Sequence, residues 1–219
     1  MRTPEPIQIV KALVFGICLM PFSLLLVGLF TDELGVNPVE TVTHQTGLWS
    51  LRLLLLTLAI TPLRQLTAWN ALIRLRRMLG LYAFFYACLH MMTWLVLDHF
   101  FDWTEIARDI GKRSYITAGF AAFVLLVPLA VTSTNAMIRR LGGSRWKRLH
   151  STVYLIATLA VLHFLWLVKA DIREPFIYGI ALTALLAFRI PTHRRLVPAK
   201  ERRSELNQHQ RSFSKRAEP

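Results

Sequence analysis

The chain has 219 residues, 54% of them hydrophobic, and a mean hydropathy of +0.42. That is too apolar for a soluble domain, yet 26 Lys and Arg against 13 Asp and Glu leave a formal charge of +13. Together these values indicate a membrane protein with basic loops, one membrane domain using nearly the whole chain.

Taken in chain order, apolar runs near the ~20 residues that span a bilayer as helix fall at 12–30, 47–61, 78–97, 115–131, 151–168 and 176–190. The first follows Arg2 and Lys11. It is long and lacks a small-x-small cleavage site, so it reads as a retained helix and not a signal peptide. Pro62, Pro128 and Pro175 stand at or near span ends, where a missing backbone donor is tolerated. The expected fold is therefore an all-α, six-transmembrane-helix bundle over residues 1–195. Residues 196–219 are read as a polar, mobile tail whose basic groups can touch anionic lipid.

The charges divide by side. Twenty of the 26 basic residues fall in the N-terminal segment, the second and fourth loops and the tail. Nine of the 13 acids, from Asp32 to Glu174, fall in the loops opposite, with five bases. The positive-inside rule puts both termini in the cytoplasm. The basic excess is thus a topology signal and not a nucleic-acid footprint. Cys18 and Cys88 lie in apolar runs outside any C-x-x-C-H sequence, which leaves covalent haem attachment unsupported and makes them packing residues. A G-x-G-x-x-G dinucleotide fingerprint and an internal repeat are both absent from the sequence.

Of seven histidines, His90 (YAFFYACLHMMTW) and His163 (STVYLIATLAVLHFLW) lie deep in apolar runs. Ionisable groups there are costly and tend to be functional. Each is twelve residues into its span and the two spans run the same way, so at 1.5 Å per residue both sit ~18 Å from the cytoplasmic end. Two imidazoles at matched depth suit a six-coordinate haem iron, with Phe84, Phe85, Tyr86, Trp94, Phe164 and Trp166 as an apolar surround. The competing reading is that each histidine simply bonds a neighbouring helix.

His150 precedes His163 by 13 residues, ~20 Å along a helix, so it cannot share their iron and belongs to a second, cytoplasmic-side site. On an ideal helix the two would also point ~140° apart, so stacked haems need a bend. Arg76 and Arg77, at the matching level of the third span, suit haem propionates, flavin phosphate or a quinone head-group, or serve as positive-inside anchors. Arg52, inside the second span, suits a propionate of the His90–His163 haem or snorkels to the interface. His44 and His99 at the outer loops, and His193 and His209 in the tail, read as ordinary surface histidines.

The segments TGLWSLRLLLLTLAITPLR, RLRRMLGLYAFFYACLHMMTWLVLD and PLAVTSTNAMIRRLGGSRWKRLHSTVYLIATLAVLHFLW, with the six-span layout, resemble the MsrQ (formerly YedZ) family, which is similar to the membrane domains of ferric reductases and NADPH oxidases. The resemblance covers about residues 6–195. It implies a multi-pass cytochrome b of the bacterial inner membrane that acts as a quinol-oxidising, electron-transfer subunit. Electrons would come from the quinone pool or a flavin reductase and pass to a periplasmic molybdopterin-containing methionine sulfoxide reductase that repairs oxidised proteins. It implies haem ligation by His90, His150 and His163, one or two haems b, and an association with FMN. Where the oxidases carry a fourth histidine this chain has Arg76, which leaves the inner site open to flavin or quinone. The rival readings are a ferric reductase or oxidase acting on a small acceptor, and a non-redox transporter; the first needs a flavin module and the second commonly shows related halves and broken helices.

Overall fold

In the computed structural model, residues 6–168 and 171–189 are described, and among them every regular element is helical. In order these are α1 (Pro6–Thr31), α2 (Pro38–Thr67), α3 (Ile73–Met92), α4 (Trp103–Lys112), α5 (Ser114–Val131), α6 (Asn135–Leu141), α7 (Gly143–His150), α8 (Val153–Leu167) and α9 (Arg173–Ala187). A 3₁₀ turn at Asn70–Leu72 leads into α3, and a π-helical stretch, Thr93–Asp98, continues it.

Five helical stretches are long and apolar enough to cross a bilayer, namely Ile7–Thr31, Pro38–Thr67, Asn70–Asp98, Ser114–Val131 and Gly143–Leu167. The chain is a multi-pass α-helical membrane protein. The expected sixth span corresponds to α9, which has 15 helical residues; the expected end of that span at residue 190, and the start of the tail at 196, lie outside the described residues. The chain divides into two units between Leu182 and Thr183. The second contributes only the last turns of α9 and residues 188–189 to the described part.

Several helices exceed their apolar runs, and local chemistry explains how. α2 starts nine residues before the expected span because the Asn37 side chain accepts from the Glu40 N–H, with Pro38 at the first helical position and Glu40 in the first turn. It ends at Ala68, whose φ of 55° is the left-handed stop of a helix terminus. The expected fifth span, 151–168, is α8, and α7 precedes it; the two are separated at Ser151–Thr152, where Thr152 N–H bonds Leu149 C=O and Tyr154 N–H bonds Ser151 C=O in the tighter i to i+3 pattern. That break falls between His150 and His163.

The first unit is organised by a closed circuit of four helices, α2 against α3, α3 against α5, α5 against α8, and α8 against α2. Its tightest seam, α2 with α3, buries Leu51, Leu54, Leu58, Leu75, Leu79 and Ala83, and Ser50 Oγ donates to Ala83 C=O at 2.9 Å. Small residues and hydroxyls of this kind let helices approach closely where lipid gives no hydrophobic drive between them.

α1 packs outside the circuit on α2 and α3. Pro21 interrupts its hydrogen-bond ladder. Beside the proline, the fully buried Tyr86 of α3 accepts from Phe22 N–H at 3.0 Å and donates to Cys18 C=O at 2.8 Å. Its hydroxyl therefore bridges a donor and an acceptor four residues apart, the relation of a normal helical rung. Tyr86→Phe removes this bridge between α3 and α1, and the expected cost is about 0.5–1.5 kcal/mol per hydrogen bond lost; unfolding of the detergent-solubilised variant against the parent measures it.

Candidate functional site

His90 lies near the end of α3 and His163 near the end of α8. The four-helix circuit brings them together: their ring centres are 6.0 Å apart, with the planes at 76°.

Each ring is held by the same device. Nδ1 of His90 is 2.8 Å from the Thr43 carbonyl of α2, and Nδ1 of His163 is 2.7 Å from the Tyr115 carbonyl of α5. A carbonyl only accepts, so each Nδ1 carries the proton and each Nε2 presents a lone pair.

These carbonyls are reachable because of what stands four residues on. In a helix the side chain at i+4 tilts back over residue i, and here those positions are Gly47 and Gly119. A Cβ on Gly47 would stand 3.0 Å from the His90 ring, and one on Gly119 would stand 2.7 Å from Nδ1 of His163. The pattern Thr43-x-x-x-Gly47 facing His90 recurs as Tyr115-x-x-x-Gly119 facing His163. The two halves are thus locally alike where the sequence shows no repeat.

The rings border a cavity of about 360 Å³ lined mainly by α2, α3, α5 and α8, a size usual for small-molecule sites, about 300–1,000 Å³. Leu54, Leu126 and Ile156 line one part; Asp98, His99, Arg113 and Tyr115 line its acidic-loop end. Of the expected aromatic surround, Trp94 and Phe164 reach the lining, joined by Phe120 and Phe123; Phe84, Phe85, Tyr86 and Trp166 do not.

His44 and His99 both line the cavity, and for His99 this departs from its reading as a surface histidine. His44 is exposed but borders Phe164, with ring centres 6.0 Å apart. His99 retains only 10% of its side-chain exposure and its Nε2 is 3.2 Å from Asp109. The signal for His99 was available in its neighbours, since an acidic residue ten positions on and a capped amphipathic helix between them fold back as one unit.

The other expected site residues fall elsewhere. His150 is half-buried and is not part of the cavity lining. Its ring stacks on Trp146 at 3.9 Å between centres. Thr132 Oγ1 donates its proton to Pro128 C=O at 2.6 Å and therefore accepts from His150 Nε2 at 3.0 Å. His150 thus commits the nitrogen that His90 and His163 leave open. Arg76 and Arg77 lie within electrostatic reach of His150, and Arg77 also donates to Asn135 at 2.7 Å. Arg52 is outside the lining: its Nε donates to Tyr178 at 2.7 Å, Nη2 is 4.0 Å from Glu174, and the group lies 5.2 Å from the Trp49 ring centre. Among the described residues no group of three or more His, Cys, Asp and Glu is placed to hold a metal ion by itself.

Comparison with known proteins accords with this architecture. Residues 46–161 match the family described as ferric reductase like transmembrane component. The chain is 53% identical over 190 residues to the protein-methionine-sulfoxide reductase heme-binding subunit MsrQ of Herminiimonas arsenicoxydans, covering 86% of this chain and 87% of that one. It is 50% identical over 195 residues to the MsrQ of Azospira oryzae, covering 89% and 84%, and 59% identical over 160 residues to that of Xanthomonas campestris pv. campestris, covering 73% of each. No solved structure gives a significant match. With a matched domain that spans half of the chain and relatives aligned nearly end to end, the chain belongs to the MsrQ family of ferric reductase-like transmembrane proteins.

Proposed function

We propose that the chain is the haem-binding membrane subunit of a methionine sulfoxide reductase, and that His90 and His163 would hold the iron of a haem b in the cavity between them. The observation that carries this reading is the pair of rings with bonded Nδ1 and open Nε2. An iron bound at the ~2 Å usual for metal–imidazole bonds puts the two ring centres roughly 6 Å apart, against the observed 6.0 Å. The printed names of the relatives support the same cofactor.

Bound there, haem b supplies reversible one-electron chemistry at its iron. The protein's part is orientation and environment. The Thr43 and Tyr115 carbonyls fix the tautomer and make each imidazole more basic, Gly47 and Gly119 give the rings room, and the apolar lining keeps the local dielectric low. Both termini are cytoplasmic in this reading, in the bacterial inner membrane. Electrons enter on the basic side, where His150, Arg76 and Arg77 form the donor-side site for a second haem, FMN or a quinone head-group, and leave toward a periplasmic molybdopterin-containing partner. Reduction of one sulfoxide to a thioether takes two electrons and two protons and releases one water; oxidation of a quinol supplies two of each.

Optical spectra of purified protein, oxidised and dithionite-reduced, test the ligand pair. His90→Ala and His163→Ala are expected to lose the bis-histidine Soret and α-bands, and His150→Ala to keep them for the cavity haem. Retention of bis-histidine spectra in both of the first two variants refutes the assignment.

The glycines give a graded test. Gly119→Ala and Gly47→Ala should both weaken haem retention, by about 10- to 100-fold in affinity where the orienting contact is lost, with Gly119→Ala the more severe because its Cβ meets the ring at the shorter distance. Haem-to-protein ratios after dialysis against apomyoglobin report the order.

A further inference from the structure

Beyond His90, α3 continues into its π-helical stretch, a form of helix common at functional sites. Phe100 and Phe101 follow with φ of 48° and 62°, conformations costly for aromatic residues and most often kept where the surroundings over-determine them. Asp102 then caps α4 by accepting from Thr104 and Glu105 N–H. This turn leads into α4, which packs on α5 and presents Asp109, 8% exposed, to His99.

Asp109 Oδ2 is shared. His99 Nε2 and Arg113 Nη1 each lie 3.2 Å from it, and Arg113 Nη1 also reaches the Tyr115 hydroxyl at 3.4 Å. Tyr115 is the residue whose carbonyl holds His163. One carboxylate therefore faces two groups able to carry positive charge. Arg113 spends one of its nitrogens on these contacts, and a guanidinium has further donors for a second anion. Nδ1 of His99 is buried without a hydrogen-bond partner among the described residues, a costly state for a polar atom. Both side chains line the cavity. The remaining charged or titratable groups at that end are Asp98, which is exposed, and His44.

We propose that His99 and Arg113 form the carboxylate-binding site for the haem propionates, His99 through Nδ1 and Arg113 through nitrogens other than Nη1, with Asp109 as the positioning residue that orients both. This rests on the haem reading above. It moves the propionate contact from Arg52, whose guanidinium is engaged by Tyr178 and Glu174, to His99, just past the π-helical stretch that follows α3, and Arg113, between α4 and α5.

The test is to titrate haem-depleted full-length protein in detergent with haem b and with haem b dimethyl ester, which lacks the carboxylate charges. The parent is expected to bind the diacid at least about tenfold more tightly than the ester, the scale of one charge-assisted hydrogen bond. In His99→Phe/Arg113→Gln that preference is expected to fall by about tenfold, while bound porphyrin keeps its bis-histidine spectrum. Arg113→Gln alone removes an exposed side chain and is expected to lower the preference at least about threefold; Arg52→Gln leaves it in place.

Failure separates cleanly. A parent with no Soret band for either porphyrin defeats the haem reading itself. A parent that binds both equally overturns the propionate site, as does an unchanged preference in Arg113→Gln, or its loss in Arg52→Gln, and leaves His90 and His163 as ligands.

Discussion

A histidine buried in a membrane has one ring proton to place, and the means by which His90 and His163 place theirs constrains the packing around them. Helical carbonyls are normally occupied by the N–H four residues on and shielded by the side chain there. For a bulky imidazole to lie against such a carbonyl, the side chain four residues on must not fill the same space, and at both sites that residue is a glycine, Gly47 or Gly119, on which a Cβ would stand within about 3 Å of the ring. The contact also requires the two helices to lie close enough for an imidazole to bridge them at 2.7–2.8 Å. The α2–α3 and α5–α8 pairs each meet these conditions, and joining the pairs side by side turns the two open Nε2 atoms toward one shared cavity. The ligand chemistry and the helix packing are consequences of one hydrogen-bond pattern used twice.

The acidic-loop end of the cavity is built on the same principle of shared partners. Asp109 serves His99 and Arg113 together, Arg113 touches Tyr115, and Tyr115 holds His163, so the α4 turn is mechanically continuous with a cavity histidine. The two left-handed aromatics at the turn are what this continuity costs in backbone strain. At the opposite side His150 is organised differently, with a stacked indole and a threonine hydroxyl on its Nε2. The two ends of the membrane domain therefore offer unlike environments.

Much of this was legible in the sequence. Hydropathy located the five long helices, and placing His90 and His163 at equal depth on parallel helices anticipated that their rings meet. Helix ends were read poorly because α2 opens on a polar turn, PVETVTHQT, whose start is written in the Asn37 cap and Pro38 and not in apolar residues. That error put His44 in a loop. His99 was misread for a related reason: an amphipathic helix such as α4 carries no spanning signal, yet it brings Asp109 onto the histidine. Gly47 and Gly119 were invisible because their role depends on which helix packs opposite, and a lone glycine in an apolar run has many uses. The partners of Arg52, Tyr178 and Glu174, were not legible because they are more than 120 residues away in sequence.

The Tyr86 hydroxyl bridging Cys18 and Phe22 has a bearing on how α1 is held. α1 is largely bare of protein contact, with 17% of its apolar window buried, so packing alone leaves it nearly smooth to sliding and rotation against α3. The bridge acts as a detent. It engages beside Pro21, and a shift of one residue turns the bridged pair about 100° away. With the Tyr82 hydroxyl, about one turn earlier on α3, donating to Phe15 C=O at 3.3 Å as a second such contact, the first helix is indexed in both height and azimuth by phenols of α3, and lipid can cover most of its surface without loosening its register.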